Sequence, residues 1–401
     1  MNQDTSSSKG LFTDNSAAPT QPTVVRDELC ALLALQQLDG LGAGGLNALL
    51  VPGASALQVL EAGPAPAALQ SLSSKTRRSL AALLRNPRCS AQWQIACKTL
   101  AWLDAHAAIM LCRQDPRFPT LLCELPDCPH WLFLQGDAEA LNKPCISIVG
   151  TRKPTALGRQ LAHQLAQDLA AAGFVVCSGM ALGIDTDAHR GALQGNGATV
   201  AVWATGLDRP YPAANLQLAR RIGQHGAIVT EMPLGTPSAP GLFPRRNRIV
   251  SALALGVIVV EAGLPSGSLI TANLAAEQNR EVFAVPGPVS QPQSKGCHQL
   301  IREGAHLVES ADDVLAVLGG FRSVALPTVT ENTQAEPAPS QRLPDALRRV
   351  LQVIDAEPAG FELLSRRCGL PADELNRALI DLELGGLIIA DAGRYSLALS
   401  R

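Results

Sequence analysis

Apolar residues in the middle of the chain fall into short continuous runs that alternate with segments of helical periodicity. The first run covers residues 146–149, after which leucines recur every fourth residue from Leu157 to Leu169. Runs that are apolar throughout predict strands buried on both faces, and their alternation with helices predicts a parallel sheet. We therefore predict an α/β, Rossmann-like doubly wound domain over residues 144–320. The other predicted strands are 174–177, 199–203, 227–230, 257–260, 282–285 and 306–308.

The segments that flank this domain differ from it in period and composition. Residues 24–110 carry helical periodicity and predict an N-terminal helical domain, similar to a SAM or helix-hairpin-helix domain. Residues 342–401 predict three helices, 347–354, 361–368 and 371–384, followed by two strands around a turn, which is the order of a winged helix. The stretches outside these domains are rich in proline or in small polar residues, which favour irregular structure. They predict a disordered tail over 1–23, an extended connector over 111–143 and a flexible linker over 321–341.

A glycine-rich stretch, residues 38–45, joins the first two predicted helices. Glycines at this spacing resemble a helix-hairpin-helix turn, in which backbone amides reach a DNA phosphate. They also fit a plain helix-to-helix corner, where glycine supplies the backbone freedom that the turn needs. A single glycine turn is a weak signal, so the corner is the favoured interpretation.

Composition narrows the class of protein. With 401 residues and 47% hydrophobic content, the chain is long enough for more than one core. Its net charge of −2 means that any attraction for a polyanion has to come from local clustering. Ten cysteines without a Cys-x-x-Cys pair, and no export signal, predict a reduced cytoplasmic setting. No apolar run reaches membrane-spanning length, so membrane insertion is not expected.

The sequence predicts neither a metal ion nor a cofactor. Cys112, Cys123, Cys128 and His130 come nearest to a metal cluster, but their spacing fits no common zinc pattern. The loop after the first strand is not Gly-x-Gly-x-x-Gly, and no acidic ribose contact is evident. A dinucleotide-dependent oxidoreductase therefore lacks its fingerprint.

The loops that follow the predicted strands are rich in small and basic residues. Ligands of doubly wound sheets bind beyond the carboxyl ends of the strands, so these loops are expected to meet at one edge. Small residues let the backbone approach an anion, basic residues supply charge, and a hydroxyl at a helix start leaves free amides, although it also fits a plain helix cap. These features predict a phosphate-bearing ligand. The candidate binding residues are Gly150, Arg152, Lys153, Ser178, Gly179, Arg245, Arg246, Asn247, Arg248, Ser266, Gly267 and Ser268.

Arg245, Arg246 and Arg248 lie within four residues at the start of a predicted helix. One helix face cannot point all three the same way. At least one arginine is therefore expected to make structural contacts, with Glu231 and Glu261 as candidate partners.

The succession of motifs along the central domain is specific. It consists of Val149-Gly-Thr-Arg152, Ser178-Gly-Met-Ala-Leu-Gly-Ile-Asp185, Asp187-Ala-His189, Gly206-Leu-Asp208 with Tyr211-Pro212 and Asn215, Phe243-Pro-Arg-Arg-Asn-Arg248, Ser266-Gly-Ser-Leu-Ile-Thr271 and Val285-Pro-Gly287. In this order the motifs resemble the DNA-processing protein A (DprA) family, also called Smf. The flanking helical domain and winged helix resemble family members that carry both extensions.

The resemblance implies a function. It implies binding and protection of incoming single-stranded DNA during natural transformation in competence, and loading of the RecA recombinase, by a homodimer without known catalysis. Single-stranded DNA and RecA are the implied partners, and single-strand binding protein is a further candidate. By position, Arg152 and residues 246–248 match the family's DNA pocket, with the turns at 178–179 and 266–268 supplying backbone contacts.

One position departs from the family pattern. Many relatives carry a lysine directly after the Tyr-Pro motif, whereas this chain has Ala213 and Ala214. Arg209 or Arg245 is a candidate to compensate for the missing contact.

The strongest rival function is that of a nucleoside-monophosphate phosphoribohydrolase, whose fold and basic segment are related. Those enzymes carry a glutamate just after the small-residue turn, whereas here no acid follows Ser268 until Glu277. Glu231 and Glu261 are the remaining candidates for that role. The sequence therefore favours a protein that is not an enzyme.

Aromatic residues make up only 3% of the chain, which argues against extended base-stacking platforms. Tyr211 and Phe243 are the two aromatic residues placed on the predicted site loops, where core packing is the alternative. Binding is therefore expected to depend on phosphate and backbone contacts, with little sequence preference.

The candidate recognition helix of the predicted winged helix is acidic. Between Pro371 and Gly386, four acidic residues oppose a single arginine. Such a face repels phosphate, which predicts a protein-contact or regulatory role. The charged residues are Asp373, Glu374, Asp381, Glu383 and Arg377.

Overall fold

The computed structural model describes residues 23–41, 43–50, 54–322, 347, 349–350, 353, 359–384, 388–391 and 394–397. The chain divides into two compact units, residues 1–326 and residues 327–401. The predicted tail, except for Thr23, and most of the predicted linker lie outside the described residues.

Where the structure describes the N-terminal part of the first unit, six α-helices form it. Serines at helix starts satisfy free backbone amides, since Ser55, Ser73 and Ser90 each accept a hydrogen bond from an amide of the first turn. The Glu28 carboxylate adds two bonds from the amides of Ala56 and Leu57, at 2.6 and 2.9 Å. The helices are α1 (Thr23–Gln36), α2 (Ala43–Leu49), α3 (Ala56–Ala62), α4 (Pro66–Ser71), α5 (Ser74–Arg85) and α6 (Ala91–Ala105).

The glycine-rich stretch between α1 and α2 packs closely against α5. Gly40 has a φ of +74°, and a Cβ there would lie 3.2 Å from Thr76 Oγ1. The positive φ therefore favours glycine, and the close approach leaves little room for a Cβ. This geometry agrees with the helix-to-helix corner; Gly42 lies outside the described residues.

A sheet of nine strands forms the centre of the first unit, in the order β1-β2-β6-β5-β4-β3-β7-β8-β9. Neighbouring strands from β6 to β9 are parallel, which confirms the predicted doubly wound sheet. The strand order reverses between β3 and β7, the position at which such sheets bind ligands. The strands are β1 (Ala108–Cys112), β2 (Trp131–Gly136), β3 (Cys145–Val149), β4 (Val175–Ser178), β5 (Thr199–Val202), β6 (Ala227–Thr230), β7 (Gly256–Val259), β8 (Glu281–Ala284) and β9 (His306–Leu307).

Helices connect the parallel strands, as the alternating pattern predicts, and a last helix, α13, follows β9. They are α7 (Ala156–Ala171), α8 (Ile184–Gln194), α9 (Leu216–His225), α10 (Leu242–Ala252), α11 (Gly267–Glu277), α12 (Lys295–Arg302) and α13 (Ala311–Arg322).

Residues 111–143 are not the extended connector that their proline content predicts. They contain the end of β1 and all of β2, which pairs antiparallel with β1 on one side and with β6 on the other. Two short 3₁₀ helices, Thr120–Glu124 and Ala138–Leu141, lie before and after β2. The prediction missed these strands because their partners are set by the free edge of the sheet, which local sequence does not reveal.

The N-terminal helices and the sheet share one hydrophobic core. Leu35 of α1 and Leu103 of α6 belong to the same buried cluster as Phe133, Trp203 and Ile228 of the sheet region. The helical part is therefore packed onto the end of the sheet that carries β1 and β2.

The second unit has the elements of a winged helix. Strands β10 (Ala359–Gly360), β11 (Ile388–Asp391) and β12 (Arg394–Leu397) form a sheet in the order β10-β12-β11. Helices α14 (Phe361–Cys368) and α15 (Ala372–Leu384) match the second and third predicted helices. Of the first predicted helix, 347–354, only residues 347, 349–350 and 353 are described, and all four are helical.

Candidate functional site

A cavity of about 750 Å³ lies where the loops after β3, β4 and β7 meet the start of α10. We call it the strand-end pocket. The sequence places candidate residues on these loops, and the sheet topology brings most of them together because β3 is adjacent to both β4 and β7. The candidates that line it are Gly150, Arg152, Lys153, Gly179, Arg246, Asn247, Ser266, Gly267 and Ser268.

Arg246 forms the buried wall of the pocket. Its Nη1 donates to the carbonyl oxygens of Gly179 and Val202. Burial lowers the pKa of this guanidinium, and the nearby carboxylate of Asp185 opposes the shift. A Cβ on Gly179 would lie 2.5 Å from Arg246 Nη2, so the turn after β4 needs glycine to accommodate the guanidinium.

Asp185 is an acidic residue in the pocket wall that the candidate set omits. It accepts hydrogen bonds from the amides of Gly179 and Ala181, at 3.1 and 3.2 Å. Burial raises the pKa of this carboxyl, and Arg246 opposes the shift. The carboxylate therefore holds the turn after β4 and partly balances the guanidinium.

Two cations on the rim of the pocket are exposed. Arg152 and Lys153 lie in the loop between β3 and α7, and both line the pocket. The Arg152 guanidinium lies 5.3 Å from the centre of the Phe243 ring, a cation–π contact. The ring of Phe243 is in turn 5.7 Å from that of Tyr211, which is exposed. The rim therefore combines charge with two aromatic rings.

The start of α11 supplies backbone amides to the pocket. Ser266 Oγ accepts from the amide of Ser268 at 3.3 Å, so Ser266 caps the helix as its type predicts. Gly267 follows the cap, and a Cβ there would meet no atom within 4 Å. A helix start that opens on a basic cavity favours an anionic ligand.

Three candidates from the sequence do not line the strand-end pocket. Ser178 is fully buried and its Oγ donates to the carbonyl of Ile148 at 2.6 Å. Arg245 and Arg248, three residues apart on α10, both pair with Glu231, at 3.0 and 2.5 Å. These pairs confirm that the cluster includes structural arginines with Glu231 as a partner.

Arg245 and Arg248 border a different cavity of about 370 Å³, which we call the Arg245 cavity. Leu41 of the corner after α1 and Leu46 of α2 also line it. Helical spacing explains why the three arginines divide between two cavities. Arg245 and Arg248 are three residues apart and share a helix face, whereas Arg246 lies on another face.

Glu261 does not project into the strand-end pocket. Its carboxylate accepts from the amide and the hydroxyl of Thr155, at 3.0 and 2.5 Å, at the start of α7. A Cβ on Gly158 would lie 2.4 Å from the Glu261 carboxyl carbon, so the acid is enclosed. Glu231 and Glu261, the candidate catalytic acids, are therefore both engaged in structural contacts.

Several residues of the motifs support the pocket from behind it. Asn215 Nδ2 donates to the carbonyl of Met180 at 3.1 Å and to Thr186 Oγ1 at 2.8 Å. His189 lies 2.7 Å from Thr199 Oγ1, and burial lowers the pKa of His189 to about 3. Their contacts fix the turn after β4 and the helix α8 that follows it.

The list of candidate binding residues omits several residues that line the pocket. Residues 238–240 and Pro265 are among them, as are Ile270 and Thr271, which belong to a quoted motif but were given no binding role. Pro265 and Thr271 flank a predicted turn, which was a usable signal. Residues 238–240 carry no charge or motif, and only the folded loop before α10 places them here.

Two family models match the chain. The one described as DNA recombination-mediator protein A matches residues 109–319, and the one described as the DprA winged helix domain matches residues 334–394. The first of these covers more than half of the chain. The chain belongs to the DNA recombination-mediator protein A family.

Individual relatives agree with this assignment to the DNA recombination-mediator protein A family. Protein Smf of Escherichia coli (strain K12) is 38% identical over 298 residues, which cover 74% of this chain and 79% of that protein. DNA processing protein DprA of Streptococcus pneumoniae (strain ATCC BAA-255 / R6) is 45% identical over 202 residues, covering 50% of this chain and 71% of that one. The X-ray structure of DprA from Streptococcus pneumoniae has a TM-score of 0.61 at 32% identity, and it covers 73% of this chain and 97% of that chain.

The region that matches the DNA recombination-mediator protein A model starts inside β1 and ends inside α13. The family domain therefore includes the two antiparallel strands as well as the strand-end pocket. None of the described helices combines the length and hydrophobicity needed to cross a bilayer. Among the described residues, His, Cys, Asp and Glu form no group of three or more suited to a metal ion.

Proposed function

We propose that this chain binds single-stranded DNA in the strand-end pocket and acts as a mediator that delivers the DNA to RecA recombinase in natural transformation. Membership of a family described as a recombination mediator supports a role in DNA processing. The observation that carries the proposal is the meeting of Arg152, Lys153 and Arg246 with the free start of α11 in one recess. Cations and backbone amides are the groups that hold phosphates without reading bases.

The shape of the site favours a single strand over a duplex. The cations line a recess between loops, which a flexible strand can enter and a stiff duplex cannot follow. Tyr211 and Phe243 at the rim offer ring faces to an unpaired base.

The contacts of the two candidate acids support a non-catalytic role. A phosphoribohydrolase needs a carboxylate free to act on the ribose. Glu231 is held by Arg245 and Arg248, and Glu261 is held by Thr155. Our proposal is therefore a binding protein, without a cofactor, that releases no free base from AMP.

One pocket of this kind is expected to bind weakly, so we include homodimeric assembly in the proposal. Two pockets on one strand raise the effective concentration of the second contact. Single-strand binding protein is a further proposed partner, since it would occupy the same DNA.

Binding of single-stranded DNA is expected to be salt-sensitive and stronger than binding of a duplex. If about three or four phosphates are neutralised per pocket, log K falls against log salt with a slope of about −2 to −3. Filter-binding titrations of a single strand and of its duplex, each over a salt series, measure both properties. A slope near zero, or equal affinity for the two forms, would contradict the proposal.

The winged helix is expected to contribute little to duplex binding. Exposed Asp373, Glu374, Asp381 and Glu383 surround Arg377 on α15, while Leu375 and Leu379 face the core of the unit. We expect the isolated second unit to bind duplex DNA far more weakly than residues 1–326 bind single strands. Comparable affinity, measured by fluorescence anisotropy, would show that this helix does contact DNA and would remove its proposed protein-contact role.

A further inference from the structure

Residues 62–103 contain six lysines and arginines and no aspartate or glutamate, in a chain whose net charge is −2. All six are exposed. None of them lines the strand-end pocket, so the proposed function leaves this charge unexplained. The six are Lys75, Arg77, Arg78, Arg85, Arg88 and Lys98.

Helix α5 gathers four of these cations on its solvent side. Its opposite side carries buried Thr76, Leu80 and Leu83, which face the core of the first unit. Lys75, Arg78 and Arg85 recur at helical spacing on the exposed side, and Arg77 flanks them. The solvent side between the cations is occupied by Ala81 and Ala82. We call Lys75, Arg77, Arg78 and Arg85 the α5 basic face.

The cations of the α5 basic face are largely free of structural partners. Lys75 Nζ is 3.9 Å from the carboxylate of Asp39, and both side chains are about two-thirds exposed, at 67% and 68%. Such an exposed pair is weak and easily exchanged. Within the described part of the chain, Arg78 and Arg85 have neither a carboxylate nor a hydrogen-bond partner. Their charge is therefore available to a polyanion.

Helix α5 packs on the corner that borders the Arg245 cavity, and Lys75 of the α5 basic face lies near Asp39 of that corner. The amide of Asp39 donates to Ser79 Oγ at 3.4 Å, and Gly40 packs on Thr76 of α5. Leu41, next along the corner, lines the Arg245 cavity together with Arg245. Arg245 is itself half exposed and precedes Arg246 of the strand-end pocket. The corner that packs on α5 and the helix that carries Arg246 thus border the same cavity.

A membrane surface is the other polyanion that a basic helix could meet. Interfacial helices insert large apolar side chains below their basic residues. On α5 those side chains, Leu80 and Leu83, are buried in the protein core, and the exposed side offers only alanine. The face therefore suits the phosphates of a nucleic-acid strand better than a bilayer.

We propose that the α5 basic face is a second contact surface for the sugar–phosphate backbone of a single DNA strand whose other part occupies the strand-end pocket. This inference rests on the proposed function. The distance along α5 from Lys75 to Arg85 is about 15 Å, which is enough for two or more consecutive phosphates. The contact is expected to be independent of the DNA sequence, because phosphates carry no sequence information.

The test compares two oligothymidines on the full chain, one of about 6 nucleotides that fills a pocket alone and one of about 30 that reaches beyond it. The variant is Arg78→Ala with Arg85→Ala. The matched control is Arg220→Ala with Arg221→Ala, two exposed arginines on α9 that lie outside both cavities. Arg78→Lys with Arg85→Lys restores the charge, and thermal unfolding checks that each variant is folded.

We expect the alanine variant to bind the long strand about tenfold more weakly at 0.1 M salt, with a salt slope smaller by about 1.4, the value for two phosphates on a single strand. Its affinity for the short strand should equal that of wild type, and the lysine variant should retain the affinity for the long strand. Long-strand binding equal to that of the control would overturn the inference while leaving the pocket intact. Failure of wild type to bind either strand would instead overturn the proposed function. Loss of binding to phosphatidylserine vesicles without loss of long-strand binding would assign the face to a membrane and also overturn the inference.

Discussion

Replacing Arg152 by glutamate is expected to weaken single-strand binding about 100-fold. The guanidinium is exposed at the rim of the strand-end pocket, so its charge faces the ligand. Loss of a charge-assisted hydrogen bond to phosphate costs about 1.5–3 kcal/mol, which is roughly 10- to 150-fold in affinity, and the new carboxylate adds repulsion. Fluorescence anisotropy with a labelled oligonucleotide measures the change.

Two further variants separate charge from structure at this position. Arg152→Gln removes the charge without reversing it and should lower the affinity for single-stranded DNA about tenfold. Arg221→Glu makes the same reversal on α9, away from both cavities, and should change affinity less than twofold. Since the described partner of Arg152 is the Phe243 ring, stability should fall by no more than about 1 kcal/mol. Equal weakening by Arg152→Glu and Arg221→Glu would show that the effect is general charge and not this pocket.

The same variant tests delivery of DNA to the recombinase. On strands coated with single-strand binding protein, wild type is expected to shorten the lag of RecA ATP hydrolysis, and Arg152→Glu is not. A normal lag reduction by a variant that cannot bind DNA would separate mediation from the pocket.

Replacing Arg246 by methionine is expected to lower the free energy of unfolding by about 3–5 kcal/mol. Its guanidinium donates to the carbonyls of Gly179 and Val202 and balances the buried carboxylate of Asp185. Without it, Asp185 remains buried and uncompensated, which is the costly outcome of breaking a buried pair. Adding Asp185→Asn should restore a large part of the loss, and a double-mutant cycle by urea unfolding measures the coupling.

The loss of stability caused by Arg246→Met should also depend on pH. Burial raises the pKa of Asp185 above its unfolded value, and Arg246 limits that rise. A carboxyl whose folded pKa is raised destabilises the protein as pH rises through that range, because the unfolded state ionises more easily. Arg246→Met removes the opposing charge, so the stability difference from wild type should be larger at about pH 7 than at about pH 5. A difference independent of pH would place the loss in packing and not in Asp185.

Arg248→Met is the matched comparison for Arg246→Met. Arg248 is also buried and paired, but its partner Glu231 keeps Arg245, and it borders the Arg245 cavity. We therefore expect a smaller loss of stability and an affinity for single strands within about twofold of wild type. If Arg248→Met instead clearly weakens single-strand binding, DNA reaches the Arg245 cavity as well.

Strands β3 to β7 could be predicted because their residues are buried and mostly apolar, and a strand buried on both faces needs such a run wherever it lies. Strands β8 and β9 at one end of the sheet are less buried, and they could still be predicted from their short runs at 282–285 and 306–308. Strands β1 and β2 could not, although residues 131–134 of β2 are also apolar. Prolines around β2 indicated irregular structure, and whether an apolar segment joins a sheet depends on an edge that another part of the chain provides.

The sequence by itself determined the α/β alternation and the loops that carry the basic and small residues, because period and residue type act locally. It also determined that Arg245, Arg246 and Arg248 could not share one role, since a helix turns 100° per residue. Only the tertiary structure decided which arginine lines the pocket. That choice depends on two carboxylates that are distant in sequence from most of the loops they join. Glu231 pairs with Arg245 and Arg248 on one side of the helix. Asp185 partly balances the charge of Arg246 on the other side. The strand order β4-β3-β7 then placed Arg246 beside Arg152 and the start of α11, because parallel strands end at a common edge.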